Sequence, residues 1–162
     1  MNAQRRERII KRYDLEEQPR GTEPQERIQG LQVDSTLLPE WRLEHVDPVK
    51  RPEQPPGTRS LWSRGERGSE QVLSVEIWEC DSSAAAREFL LEALDQFESP
   101  EVERATDARA VGDIAFAYHE HALLYARANL VVLIRNAGRE LVPVTGPARE
   151  IDERLTGEQA EG

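Results

Sequence analysis

Apolar positions are most concentrated over Val111–Asn136, where three apolar runs follow one another with only turn residues between them. Ile114–Tyr118, Leu123–Arg127 and Leu130–Ile134 predict three consecutive antiparallel strands. The links at Glu120-His121-Ala122 and Ala128-Asn129 are short enough only for hairpins. The third run is almost wholly apolar and rich in β-branched residues, as a central or doubly covered strand requires. Gly112-Asp113 opens this meander and Asn136-Ala137-Gly138 closes it.

A second unit runs from Gln71 to Phe97. Val72–Trp78 alternates, with Leu73, Val75 and Ile77 on one face and Ser74, Glu76 and Trp78 on the other. A helix over 82–98 follows, capped by Asp81, Ser82 or Ser83. Its Ala86, Phe89, Leu90, Ala93, Leu94 and Phe97 form one apolar stripe, and Ser99-Pro100 ends it. The face of Leu73, Val75 and Ile77, with the meander, is the expected partner of that stripe. Earlier, Trp41 and Ser60–Ser63 lead short strands, and the proline-rich stretch Asp47–Ser60 reads as a stiff loop. Near the end, Pro147 at a first helical position starts a short helix along Ala148, Ile151 and Leu155, which Gly157 stops.

No β-α-β alternation repeats, so a parallel sheet does not fit. The pattern is α+β: an antiparallel sheet of about five or six strands with the 82–98 helix and a C-terminal helix packed on it. Residues 1–30 read as a basic arm or linker, broken at Pro19–Pro24; 31–157 form the single domain; 158–162 form an acidic tail. Leu38-Pro39-Glu40-Trp41, the helix over 82–97, Val111-Gly112-Asp113, the hairpin Arg127–Val132 and the closing helix 148–155 together resemble bacterial sensor or lipoprotein-type domains of the PsbP/Mog1-like class. The resemblance covers roughly residues 36–156. It implies this fold and a non-catalytic module, often secreted or anchored.

Composition narrows the function. The net charge of −10 opposes nucleic-acid binding by the whole molecule. The N-terminal thirteen residues run the other way, with five basic side chains against Glu7 alone. Arginine bias, with Lys11 and Lys50 the only lysines, fits a GC-rich bacterial genome. Cys80 is the single cysteine, so no internal disulfide forms. With no leader-like apolar run at the start, the chain as given reads as soluble and cytoplasmic; removal of a leader would make it secreted or anchored.

Phosphate-loop, dinucleotide, zinc-protease and nucleophile-elbow motifs are missing from the sequence. His119 and His121 are weak metal candidates, with His45 or a carboxylate as a third ligand, and a metal- or small-ligand-binding enzyme built on them is the alternative function. Cys80 precedes a helix start, but Glu79 and Asp81 oppose its ionisation. The main expectation is a non-enzymatic module without a cofactor. It would bind a protein partner, or its own copy, through an open sheet face that presents Trp78, Tyr125 and Arg127, with Trp62.

Overall fold

The computed structural model describes residues 2–15, 28, 31–97 and 99–160. The expected break at Pro19–Pro24 and the last two residues of the acidic tail lie outside these.

Among the described residues, seven antiparallel strands form one sheet in the order β1-β2-β3-β7-β6-β5-β4. They are β1 (Arg42–Val49), β2 (Gly57–Arg64), β3 (Gln71–Glu79), β4 (Val102–Arg104), β5 (Ile114–Tyr118), β6 (Ala122–Arg127) and β7 (Leu130–Asn136), joined by the helices α1 (Ala3–Tyr13), α2 (Ser83–Gln96) and α3 (Thr145–Ala160). The fold is α+β, as the pattern implies. The meander forms as read, and β3 pairs with its last strand, β7. The extra strand length comes from the proline-rich stretch, because β1 runs to Val49 and β2 begins at Gly57. Pro48 is tolerated because β1 is an edge strand, where a missing N–H can face away from the ladder.

Two cores sit on opposite faces of the sheet. One gathers Leu73, Val75, Ile77, Leu123, Tyr125, Val132 and Ile134 under α3 and the Leu37–Trp41 segment. The other gathers Trp78, Phe116, Leu124 and Val131 under α1 and α2. The stripe of α2 therefore packs against the face of Trp78, not that of Leu73, Val75 and Ile77. Those three residues are taken by α3 and by the chain before β1.

Helix α1 is docked rather than trailing. Asn2 caps it by accepting the Arg5 N–H at 2.8 Å. Ile9 and Tyr13 are buried, and Tyr13 meets Phe116 edge-on with ring centroids 5.0 Å apart. Arg6 donates to Glu88 of α2 at 2.6 Å, and Arg5 pairs with Asp95 at 3.3 Å. The basic charge of this segment is thus set against acids of α2. Helix α3 continues past Gly157 to Ala160, so that glycine does not end it. Among the described residues, no helix is long and apolar enough to cross a membrane.

Candidate functional site

The site grows from the polar half of β3. Ser74, Glu76 and Trp78 point to the α2 side, and all three are buried, at 2%, 5% and 5% exposure. Register explains what surrounds them. Glu76 lies between Arg59 of β2 and Leu133 of β7, and Trp78 between Gly57 and Val131. Gly57 is what lets the indole lie where it does: a Cβ there would stand 2.8 Å from Trp78 Cδ1. The Pro55-Pro56-Gly57 run thus places a glycine opposite the tryptophan. From above, Phe89 of α2 packs on the indole, with ring centroids 5.2 Å apart and planes tilted by 58°.

Beside this pair a cleft of about 170 Å³ opens between α2, the loop before β2 and strands β3, β7 and β6. Trp78, Phe89, Phe97, Leu124 and Leu133 supply apolar lining; Arg51, Gln54, Glu76, Glu92, Gln96 and Arg135 supply polar lining. Arg135 Nη2 lies 3.5 Å from Glu76 Oε1, so the buried carboxylate has a counter-ion. Trp78 Nε1 and Gln54 Oε1, of two lining residues, are buried without a hydrogen-bond partner, as are Ser74 Oγ and Arg154 Nε. A buried donor or acceptor left unpaired costs about 1–3 kcal/mol.

The other expected residues are placed differently. Trp78 faces Val131, which in turn faces Ala126. Tyr125, one residue before Ala126, therefore points to the opposite side of the sheet. Tyr125 and Trp62 are fully buried at 0% exposure. Trp62 donates its indole N–H to Ser60 Oγ at 2.8 Å, and Tyr125 O–H reaches the Ala148 carbonyl at 3.5 Å. Burial holds the Tyr125 phenol well above its ordinary pKa. No open face carries these aromatic groups, because both faces of the central strands are covered.

Arg127 is half-buried and locked between two elements. It donates through Nε and Nη2 to both carboxylate oxygens of Asp152, at 2.8 and 2.6 Å, and through Nη1 to Asp113 at 3.2 Å. Hydrogen bonding to Asp152 raises the guanidinium pKa. This cluster ties α3 to the meander.

The histidines do not assemble. His119 and His121 sit at the β5–β6 turn, ring centroids 5.9 Å apart, and His119 Nε2 lies 3.3 Å from Glu101 Oε2. His45 is on edge strand β1, five strand spacings from β5, or about 24 Å at ~4.8 Å each. It cannot complete a shared site with them. Among the described residues, no group of three or more His, Cys, Asp or Glu side chains could hold a metal ion. Cys80 is buried, and its thiol is pushed up to about 11 by burial first, then by Asp81 and Glu79.

Gln54 and Asn129 were not singled out by the sequence pattern. Asn129 is 1% exposed; it accepts the Ile28 N–H at 2.7 Å and donates to the Ile28 and Cys80 carbonyls at 3.1 and 3.0 Å. A turn asparagine gives no signal of such a distant partner. The signal for Gln54 was its place within four prolines, a stiff frame for one polar side chain.

Compared with known proteins, the chain matches no family model, no curated protein and no solved structure.

Proposed function

We propose that this chain is a non-enzymatic binding module that engages a protein partner at the cleft beside Trp78. The observation that carries this reading is one recess of about 170 Å³ that joins an aromatic wall of Trp78, Phe89 and Phe97 to polar Arg51, Gln54, Glu92 and Arg135. Recesses that fix a ligand combine apolar walls with a few placed polar groups. Interface anchors are commonly single side chains seated in such recesses. The resemblance to PsbP/Mog1-like domains carries the same expectation of a non-catalytic module. The expected open sheet face is replaced in this reading by a cleft on the same side of β3, with Trp78 retained and Tyr125, Arg127 and Trp62 serving the fold.

The test is site-specific photo-cross-linking in the native host. Glu92 is exposed on the rim, so a cross-linking residue there should capture one discrete partner. The adduct should disappear when Trp78→Phe is added, and a cross-linker at exposed Glu153 on α3 should not form it. An adduct of two copies of this chain would make the partner a second copy. No adduct from position 92, or one that survives Trp78→Phe undiminished, overturns the reading.

A further inference from the structure

We infer that the groove between α1 and α2 docks an acidic segment of a protein partner, held through two carboxylate side chains that lie two residues apart in an extended chain. The groove follows Leu94 and Asp95 of α2, whereas the cleft beside Trp78 follows Ala93 and Gln96. The two therefore lie on opposite flanks of that helix, and this inference stands apart from the reading above.

Three observations select this occupant. First, the groove concentrates positive charge on an acidic molecule. Arg5, Arg8 and Arg12 line it, with Asp95 as the one acid of the lining, in a chain whose net charge is −10. Arg5 pairs with Asp95 at 3.3 Å, which leaves the charges of Arg8 and Arg12. Second, those two are available. Arg8 is exposed and forms no ion pair among the described residues. Arg12 is exposed but fixed: its Nη2 donates to the Ser99 and Val102 carbonyls at 2.8 and 3.2 Å, and its guanidinium lies 4.8 Å from the centre of the Tyr13 ring. Carbonyls and a ring orient the cation without neutralising it, so an incoming carboxylate meets a charge already in place.

Third, spacing and size fit a peptide. Arg8 and Arg12 are one helical turn apart, about 6 Å along the axis. Alternate side chains of an extended chain share a face and stand about 7 Å apart. At about 30 Å³ per water-sized unit, 620 Å³ holds roughly twenty non-hydrogen atoms, far more than one carboxylate and close to a three-residue stretch. A nucleic acid suits the groove less well, because a long polyanion runs beyond it onto an acidic surface. Over a screening length of about 8 Å a short segment feels the groove alone.

The test is a titration of the full chain with a capped pentapeptide, serine-glutamate-serine-glutamate-serine, followed through the backbone amide resonances of α1. The expected result is a saturable shift centred on Arg8 and Arg12, absent with the peptide in which both glutamates are glutamines. Arg8→Gln should weaken binding about fivefold, the scale of one exposed ion pair. Arg139→Gln makes the same charge change at an exposed position outside the groove and should leave binding as it is. Arg8 is exposed and forms no ion pair in the fold, so its variant separates binding from folding where Arg12→Gln would not.

No shift in α1, or equal shifts with the glutamate and glutamine peptides, overturns the inference. So does equal weakening by Arg8→Gln and Arg139→Gln, which would reduce binding to net charge. Acetate at the same carboxylate concentration giving the same saturation would make the groove a site for lone anions, and tighter binding of a thymidine decanucleotide than of the peptide would make the occupant a nucleic acid. Either result, or α1 shifts that track protein concentration without peptide, overturns the assignment to an acidic partner segment.

Discussion

At the scale of single residues, some buried polar groups are paired within the fold and others are not. Arg127, Asp152 and Asn129 hydrogen-bond inside the fold, while Trp78 Nε1, Gln54 Oε1, Ser74 Oγ and Arg154 Nε are buried without a partner. Cys80 belongs with the inert groups. Its thiol lies at about 11 against an ordinary value of 9.0, so the folded state favours the protonated form. That contribution to stability is complete below pH 9.0 and is lost as pH rises through about 11, and the buried Tyr125 phenol acts in the same direction. Native protein should therefore resist thiol alkylation near neutral pH and react only on unfolding, and its urea midpoint should fall across that alkaline window. Rapid alkylation of folded protein would show that Cys80 is accessible. In the sequence, the flanking Glu79 and Asp81 already opposed a reactive thiol; its burial under α2 depended on which face of β3 the helix covers.

At the scale of elements, what could be read was whatever has local periodicity. The meander, the alternation of β3 and the stripe of α2 follow from side-chain spacing within each segment. Which stripe meets which face does not, because Leu73 and Trp78 face opposite sides and both sides are apolar enough to bury a helix. The placement of α2 over Trp78 was missed for that reason, and with it the true position of Tyr125. The docking of α1 was equally hard to see, since Ile9 and Tyr13 are a thin stripe among arginines and only Phe116 and α2 complete their burial. Helix α1 ends at Asp14 with φ +56°, a left-handed position that also sets a carboxylate at the negative end of the helix. Asp14→Gly should relieve both, raising stability by about 1 kcal/mol in urea denaturation. No gain would mean that α1 comes away before the global transition.

At the scale of the whole molecule, the sheet is covered on both central faces, and the proposed binding cleft is one gap at the edge of that cover. The gap lies where α2 and the proline-framed loop fail to close over β3. Its candidate status was half legible: the polar face of Ser74, Glu76 and Trp78 was evident, but not the loop that roofs it. The proposed binding role has a signature in stability, because Gln54 Oε1 is buried without a partner. Urea denaturation of Gln54→Leu, read beside its cross-linking yield from position 92, tests this most directly. The predicted result is a fold stabilised by about 1 kcal/mol, since a buried unpaired acceptor is removed, with loss of the cross-link. A variant destabilised by that amount with its cross-link intact would make Gln54 a structural residue and contradict the cleft as the binding site.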